Sequence, residues 1–494
     1  MAKQSGDDSL LQGFLYIAVF LAELLVLRKR RTVKFRQRAL LAGSYVLYCS
    51  WSRWFLAVLL VSTVVNYFVG EWVRRRPYWP SLTTGVLLNL VLLSTFKYLP
   101  AFAGGLPFAW LQAFAYLALP LGISFWTFQA LSYLFDQYRG EELDPSLLEF
   151  AVYMAFFPVA ISGPICRMPD MLPQFRSEQK VPWSDVERGL QRIATGVLMM
   201  QLAKLLGQGI LSGDSINSGF DAATRWSGPD VWCLAVGYGM QLFLDFAGYC
   251  HIAIGAAKAL GFTVPENFAR PFQSTSPSVF WTRWHMSLSF WIRDYVFLPL
   301  AVLRREIWWR NFVLVLSMVV FGVWHKASLL FVLWGCYHGV LLLLHRQCQQ
   351  IQRRLNWEPP TRIWDLLSWF VTMAMVSLGW IFFRATTFHT AKQMLSAVLS
   401  LSSYGTHFLS GTLYGLVAGL IAAYAIVALA ADLFDRHSAK IEAAALPPSE
   451  RVIAALVQKR WIWVPPLYAL TLLVVTVVTL TQGTTAAQIL YRRF

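Results

Sequence analysis

A long apolar segment of the chain carries histidines. Residues 321–345, FGVWHKASLLFVLWGCYHGVLLLLH, are long enough to cross a bilayer and hold three of the chain's eight histidines, His325, His338 and His345. Burying an unpaired polar group is costly, so an ionisable side chain in such a segment is a candidate functional site. A neutral imidazole accepts a proton at physiological pH, which is the chemistry of a general base.

The spacing of these histidines separates their roles. His338 and His345 are seven residues apart and share a helix face. His325 and His338 are thirteen apart, which fits one straight helix poorly, although a hairpin would bring them together. Gly335 and Gly339 flank His338 at the spacing of closely packed helices. His338 is therefore a functional group or a structural histidine bonded to a neighbouring helix, whereas His345 borders a basic tail and reads as an interface residue.

A second stretch mixes aromatic and charged residues. Residues 267–300 include FWTRWHMSLSFWIRDY, which contains Arg283, His285, Arg293 and Asp294. No continuous lipid-facing helix has that composition, and at membrane depth such residues must be buried in protein or face water. The stretch indicates a polar chamber or a re-entrant segment. An interfacial helix with an aromatic belt is the alternative.

Long apolar helices are the elements that must position these groups. The chain is 57% hydrophobic and only 14% charged. Apolar runs recur at residues 10–27, 55–69, 82–96, 117–135, 231–246, 312–323, 366–383, 413–429 and 461–480. Many approach the ~20 residues that a spanning helix needs, and the alternating segments of a β-barrel are not seen. We predict an all-α polytopic membrane protein with roughly eleven spans and a single domain over residues 1–494.

The net charge of +16 lies mostly in the connections between runs. Residues 28–38 and 74–76 are basic and follow apolar runs, so the positive-inside rule places them in the cytoplasm. The same rule places residues 435–451 in the cytoplasm and both termini outside. Contact with anionic membrane lipid explains this charge, and nucleic acid is not an expected partner. The first run is a permanent span, because its positive charges follow it and no cleavage site comes next.

Several other kinds of site are not indicated. The six cysteines form no CxxC pair and lie mostly in apolar runs, which is typical of small buried hydrophobes. No metal site is expected, and no glycine-rich loop has the spacing of a nucleotide-binding motif.

Six ordered blocks resemble the membrane-bound O-acyltransferase (MBOAT) family. They are LPLGISFWTFQALSYLFDQYRG, FPVAISGPICR, MQLFLDFAGYCHIAIGAAKALGF, ENFARPFQSTSPSVFWTRWHMSLSFWIRDYVF, WHKASLLFVLWGCYHG and LGWIFFRA. The resemblance is to the bacterial branch that includes the alginate O-acetyltransferase membrane subunit and the teichoic-acid D-alanyl transferase. It covers about residues 35–390, with C-terminal helices and a tail at about 410–494.

The resemblance implies a fold and two histidines. The fold is a ring of roughly eleven tilted helices, with re-entrant segments, around a central tunnel. The family's signature histidine is His338, and His285 also faces the reaction centre. His325 matches the histidine of a WHG motif, but Lys326 replaces its glycine. His251 stands where relatives often have an acid, and a GGxRxG loop is missing from the donor side.

The implied reaction is acyl transfer from a cytoplasmic thioester to an extracytoplasmic hydroxyl, without a cofactor. Such transfer needs a base near the hydroxyl and polar groups for the oxyanion, and no nucleophile signature is visible. We assign His338 as general base of a direct transfer and His285 as the second polar group, with His325, Arg283 and Asp245 in support. The donor is acetyl-CoA or an acyl-carrier thioester, and the product an O-acylated surface or secreted polysaccharide of a bacterium. The alternatives are D-alanyl-type transfer from a carrier protein, a glycolipid transporter or flippase, and a scaffold or metal-binding protein that uses the histidines as ligands.

The C-terminal tail, GTTAAQILYRRF, ends in a YxxF pattern. It reads as an interfacial anchor, with Tyr491 and Phe494 at the headgroups. It also resembles a tail ending found on some relatives and on a small partner protein of the D-alanyl system. That resemblance implies that Tyr491 relays the acyl group to an extracytoplasmic acyltransferase or esterase-like partner protein at the outer face of the inner membrane.

Overall fold

The computed structural model describes residues 6–29, 31–103, 116–209, 214–221, 225–357 and 361–441. The described residues form helices and no strand. The predicted span at 461–480, the relay residue Tyr491 and both chain termini lie outside the described residues, as does most of the predicted cytoplasmic loop at 435–451.

The first half of the chain begins with four long helices and continues with a mixture of short and long ones. Its helices are α1 (Gly6–Arg28), α2 (Val33–Trp51), α3 (Arg53–Arg75), α4 (Trp79–Lys97), α5 (Leu99–Ala103), α6 (Ile123–Tyr138), α7 (Leu147–Ala155), α8 (Met168–Phe175), α9 (Trp183–Gln208), α10 (Ile216–Asp221) and α11 (Gly228–Ala259).

The second half begins with short elements and continues with long helices. After a 3₁₀ turn (Pro271–Gln273) come α12 (Pro277–Trp281), α13 (Met286–Ile292), a π-helical turn (Arg293–Phe297) and α14 (Leu298–Ala301). The helices that follow are α15 (Ile307–His325), α16 (Leu329–Arg354), α17 (Thr361–Arg384), α18 (Phe388–Leu399) and α19 (Gly411–Ile441), with a 3₁₀ turn (Leu401–Gly405) between the last two.

Among the described residues, seven helices are long and apolar enough to cross a membrane. They are α3, α4, α11, α15, α16, α17 from Ile363 and α19 as far as Ala430. This finding confirms the all-α, multi-pass membrane class. The ring of roughly eleven helices around a tunnel stays a prediction.

The apolar run at residues 117–135 is interrupted. Its first part is irregular, and α6 begins only at Ile123, after Gly122 in the left-handed region (φ 74°). A β-carbon at Gly122 would lie 2.0 Å from the carbonyl oxygen of Ala160, so only glycine fits this turn. Below it, α6 is buried on nearly all its faces.

Two segments enter and leave the bundle at the same end. The first runs from α7 to α8, and an ion pair joins its two ends, with Arg176 Nε 2.7 Å from Glu149 Oε1. Arg176 also donates to the carbonyl of Asp144, whose carboxylate lies 3.5 Å from Arg74 at the end of α3. Arg36 of α2 donates to the carbonyl of Ser177 at 2.9 Å. We call this side of the bundle the arginine-rich end.

The second such segment, residues 267–297, contains the mixed aromatic and charged stretch. Glu266, just before it, pairs with Arg192 of α9. At its far end Asp294 pairs with Arg167 at 2.8 Å, and Arg139 donates to the backbone carbonyl of Asp294. Both ends of residues 267–297 are thus tied to helices of the arginine-rich end, and its middle, with His285, lies within the bundle.

The ion pair of Glu149 makes the stability of the first segment depend on pH. Burial alone would raise the pKa of Glu149, but hydrogen bonds from Arg176 and Ser146 lower it from 4.5 to about 2. A carboxyl with a lower pKa in the folded protein adds stability above its unfolded pKa, and this gain is lost as the pH falls through the folded value.

We therefore expect Glu149→Gln to lower the thermal unfolding temperature in detergent at pH 7. This deficit should shrink as the pH falls from about 4.5 toward 2, where the wild-type carboxyl also becomes neutral. Glu142→Gln, at an exposed neighbouring position, is the control and should change little at any pH. A deficit of constant size across this range would show that the charge of Glu149 is not what anchors the segment.

Candidate active site

His338 lies in the middle of α16, enclosed by aromatic rings. It is the tenth residue of the helix, about 14 Å along the axis from its first residue. Its ring centroid is 4.8 Å from Trp334, 5.2 Å from Trp281 and 5.3 Å from Tyr337. The side chain is 1% exposed, and neither ring nitrogen has a hydrogen-bond partner among the described residues. The structure thus does not provide the neighbouring-helix bond that a purely structural histidine would need.

The backbone of α17 presses against this imidazole. A β-carbon at Gly379 would lie 2.5 Å from His338 Nε2, closer than any side chain allows. Gly379 therefore keeps one edge of the imidazole against backbone with no side chain between them. This residue belongs to the LGWIFFRA block, 41 positions after His338.

His285 is held in a strained conformation between α12 and α13. Its backbone is left-handed (φ 44°, ψ 51°), which is uncommon for a residue with a β-carbon and is typical of functional sites. The side chain is 2% exposed. Its Nδ1 lies 3.2 Å from Oδ1 of Asn267, and its ring packs edge-on against Phe246 at 4.7 Å.

Asn267 fixes the protonation of that ring. Its Oδ1 accepts from the backbone N–H of Ser287 at 3.1 Å and from the Ser287 hydroxyl at 2.7 Å. A backbone N–H can only donate, so the Asn267 atom that it meets is the oxygen, and His285 Nδ1 must carry a proton to donate to it. The lone pair of a neutral His285 is then on Nε2. The Asn267 amide nitrogen lies 3.2 Å from the sulfur of Cys250.

His325 ends α15 and stacks on Phe321, with ring centroids 5.6 Å apart. It is half-buried, 4.6 Å from Trp324 and 6.1 Å from Trp334. Lys326, which replaces the glycine of the family motif, is exposed and extended (φ −155°, ψ 131°). That conformation is open to any residue, so the backbone beside His325 does not need glycine.

A cavity of about 20 Å³, with room for about one water molecule, joins two of the histidines. It is lined by Leu242, Phe246, Trp284, His285, Phe321, His325, Trp334, Trp380 and Phe383. His338 is not among the lining residues, but its neighbour Trp334 is. The α15–α16 hairpin thus brings His325 and His338 to the same tryptophan, as the thirteen-residue spacing allowed.

Asp245 and Arg283 were proposed to support His285, and the structure shows no hydrogen bond from either of their side chains to its ring among the contacts it describes. Asp245 is half-buried on α11, beside the Phe246 that packs against His285. Arg283 is half-buried, and its carbonyl accepts from the N–H of Ala269. The structure shows a hydrogen bond from His285 Nδ1 to Asn267 Oδ1, and sequence reasoning missed Asn267. Supporting roles for Asp245 and Arg283 stay predictions.

Lys97 is a second residue that the sequence analysis missed. It ends α4 opposite the arginine-rich end, donates to the hydroxyl of Ser124 at 3.2 Å and lies 4.4 Å from the ring of Trp324. A lone lysine at the end of an apolar run was the available signal, but its neighbours come from distant parts of the chain.

A charged cluster lies where the second segment returns to the arginine-rich end. The Asp294 carboxylate accepts from Arg293 at 2.6 Å and from Arg167 at 2.8 Å. Burial would raise the pKa of Asp294, but the bonds from Arg293 and Arg167 lower it. Arg139 and Arg167 each lie about 5 Å from the ring of Tyr295, whose hydroxyl donates to Asp136 at 2.8 Å. This cluster leads from the arginine-rich end toward the interior.

The arrangement suits proton transfer at a water-excluded centre. Three imidazoles and the aromatic rings between them lie within the bundle, and the residues described include no cluster of three or more His, Cys, Asp or Glu side chains able to hold a metal ion. A neutral imidazole with an unengaged nitrogen can take a proton from a hydroxyl.

Comparison with known proteins agrees with this chemistry. Residues 113–387 match the MBOAT, membrane-bound O-acyltransferase family. The probable alginate O-acetylase AlgI of Pseudomonas aeruginosa is 33% identical over 439 residues, which cover 84% of this chain and 79% of that protein. The peptidoglycan O-acetyltransferase of Helicobacter pylori is 30% identical, covering 75% of each chain. The teichoic acid D-alanyltransferase of Bacillus subtilis is 31% identical, covering 54% of this chain and 69% of that protein.

We expect Gly379→Ala to reduce activity while the protein remains folded. Its methyl group would lie 2.5 Å from His338 Nε2, which is too close for two non-bonded atoms, so the imidazole would have to turn away from its present position. The measurement is acyl transfer in membranes, together with the amount of folded protein recovered in detergent. Gly419→Ala on α19 is the matched control, because a β-carbon there meets nothing within 4 Å. Full activity of Gly379→Ala would mean that the position of His338 is not critical.

We expect Asn267→Leu to reduce activity about 10- to 100-fold, because His285 would lose the hydrogen bond that orients its ring. The range is the one found when metal-site histidines lose the partner that orients them, and we apply it here by analogy. Asn267→Asp keeps an acceptor for His285 Nδ1 and should retain more activity than the leucine variant. Cys250→Ala removes only the contact to the Asn267 amide nitrogen and serves as the control. Equal losses in the leucine and aspartate variants would argue that Asn267 acts through packing and not through His285.

Proposed function

Because the chain belongs to the membrane-bound O-acyltransferase family, and so is an acyltransferase, we propose that it moves an acetyl group across the membrane. The donor is a cytoplasmic thioester, and the final acceptor is a hydroxyl of a cell-surface or secreted polysaccharide. The observation that carries this proposal is the pair of buried histidines, His285 and His338, placed inside a helical bundle with no ion-pair partner among the described residues. Neutral, water-excluded imidazoles are suited to deprotonating an alcohol.

Direct transfer is the simplest mechanism. His338 takes the proton of the acceptor hydroxyl as its oxygen attacks the thioester carbonyl carbon. The carbonyl π electrons move to oxygen, and the tetrahedral oxyanion must be stabilised by fixed dipoles. When the carbonyl re-forms, the C–S bond breaks and the thiolate leaves, taking the proton back from His338. His285, with its Nδ1 held by Asn267, presents Nε2 to the same region.

Acetyl-CoA is the favoured donor, because two of the relatives are named as an O-acetylase and an O-acetyltransferase and the chain covers at least 75% of each. The D-alanyltransferase relative covers less of this chain, so transfer from a carrier protein is the second candidate. No resident cofactor is needed for either reaction. The two donors are distinguished by supplying labelled acetyl-CoA alone to membranes.

The membrane arrangement follows from the charge. We propose a bacterial inner-membrane location, with the arginine-rich end in the cytoplasm and both termini outside. The donor would then approach the Arg139–Arg167–Asp294 cluster, and the acceptor would approach the opposite end, where Lys97 lies. An extracytoplasmic acyltransferase or esterase-like partner would complete the transfer to polymer, and the relay by Tyr491 stays a prediction.

We expect His338→Gln to lower acyl transfer by about 100-fold or more, because glutamine cannot act as a base. The measurement is the ester-linked acetyl content of the envelope polysaccharide in a deletion strain that expresses the variant. It is paired with label transfer from acetyl-CoA in isolated membranes.

His345→Gln is the matched control for this variant. It lies two turns along the same helix, outside the aromatic cluster, and should leave activity unchanged. Near-normal activity of His338→Gln would remove His338 from the base role. Export defects without any transfer of label in the wild type would favour a transporter instead.

A further inference from the structure

Three indole N–H groups around the histidines have no acceptor among the described residues. They belong to Trp281, Trp324 and Trp334. All three side chains are buried, and Trp334 is 1% exposed. Trp281 packs against His338, Trp324 packs against His285 and His325, and Trp334 packs against His325 and His338.

Other indole groups of the chain bond to backbone carbonyls, although the buried Nε1 of Trp126 also has no acceptor among the described residues. Trp291 Nε1 donates to the carbonyl of Phe128 at 3.1 Å, Trp226 Nε1 to Gly219 at 2.9 Å and Trp369 Nε1 to Phe272 at 2.7 Å. An indole N–H is a donor only, and leaving it buried without an acceptor costs stability. Unpaired indoles gathered around the histidines therefore indicate a ligand that brings an acceptor atom.

Trp334 is the best placed of the three. It is four residues before His338, so the two side chains share a face of α16 one turn apart. Its ring centroid lies 4.8 Å from His338 and 5.7 Å from Trp281. It also lines the cavity shared by His285 and His325, whose volume of about 20 Å³ fits a single oxygen-sized group. Trp281 and Trp324 are not among the residues that line it.

Lys97 is the obvious cationic competitor for such a role. Its ammonium already donates to Ser124 and lies against the ring of Trp324, and Lys97 does not line the cavity. Two of the three histidines have other roles, since His338 is the base and His285 donates from Nδ1 to Asn267, and His325 is only half-buried at the end of α15. Three tryptophans line the cavity, Trp284, Trp334 and Trp380, and Trp334 is the one whose indole N–H is buried without an acceptor among the described residues.

We propose that Trp334 is a further catalytic residue, whose Nε1–H donates a hydrogen bond to the carbonyl oxygen of the thioester donor. The role rests on the proposed function. As the acceptor oxygen bonds to the carbonyl carbon, the π electrons move to that oxygen and the hydroxyl proton goes to His338. The bond from Trp334 strengthens with the negative charge and weakens when the C–S bond breaks and the thiolate leaves with the proton.

The test separates the N–H from the shape of the ring. Benzothienylalanine at position 334, introduced by stop-codon suppression, replaces the N–H with sulfur and keeps the bicyclic outline. Trp334→Phe removes the N–H with more loss of packing. Both are assayed in membranes with labelled acetyl-CoA at varied concentration, beside the thermal unfolding temperature in detergent.

We expect both variants to lower the rate at saturating acetyl-CoA by about 100-fold or more, the usual effect of losing one oxyanion donor. The concentration of acetyl-CoA for half-maximal rate should change little, and the benzothienyl variant should unfold near the wild-type temperature. Trp291→Phe is the control. It removes an indole N–H that bonds to backbone, so it should lower stability without this loss of rate.

The outcomes distinguish this role from the proposed function. A benzothienyl variant with wild-type rate would overturn the role of Trp334 while acyl transfer itself stands. A loss of rate no larger than that of Trp291→Phe would overturn it as well, since it would reflect packing. A wild-type protein that transfers no label from any thioester would overturn the proposed function, and the role of Trp334 with it.

Discussion

The histidine site depends on the high cost of burying polar groups without partners in the membrane interior. A lipid-embedded helix satisfies its own backbone, but side-chain donors and acceptors must find partners within the protein or in a ligand. Around the α15–α16 hairpin this requirement is left partly unmet. His338 and the indoles of Trp281, Trp324 and Trp334 are buried without hydrogen-bond partners among the described residues. Aromatic packing holds these rings in place, so their polar atoms remain available to a substrate.

Polar contacts fix the surroundings of this centre. The arginine-rich end ties down both segments that enter and leave on the same side, through Glu149 with Arg176 and Asp294 with Arg167. The second segment then reaches the interior at His285, where the left-handed backbone and Asn267 set the direction of the ring. On α17, Gly379 leaves room for the imidazole of His338, which any larger residue at that position would displace. The ion pairs of the arginine-rich end hold the segment, Asn267 orients the imidazole of His285, and Gly379 limits the position of the imidazole of His338.

The sequence predicted the parts of this structure that depend on local pattern. The helical membrane class followed from the apolar runs and is confirmed. The functional role of residues 321–345, inferred from histidines in an apolar segment, stays a prediction. His285 was identified because arginine, histidine and tryptophan do not share a lipid-facing helix. Each of these inferences needs only neighbouring residues.

The contacts that orient the site could not be predicted in the same way. Asn267 lies 18 residues from His285, and Gly379 lies on a different helix from His338. No periodicity relates either pair, because only the packing of the segments brings them together. The sequence offered Asp245 and Arg283 as groups to orient or charge-balance His285, and those roles stay predictions. The hydrogen-bond partner that the structure shows for His285 Nδ1 is the neutral amide of Asn267, so this contact orients the ring without adding a charge.

The sidedness of the reaction tests the account most directly. Sealed right-side-out and inside-out membrane vesicles would be given labelled acetyl-CoA, with His338→Gln vesicles as the background. We predict ester-linked label in inside-out vesicles, where the arginine-rich end faces the medium. Sealed right-side-out vesicles should label only after they are permeabilised. Equal labelling in sealed right-side-out vesicles would contradict transfer from the arginine-rich end through the buried histidine site.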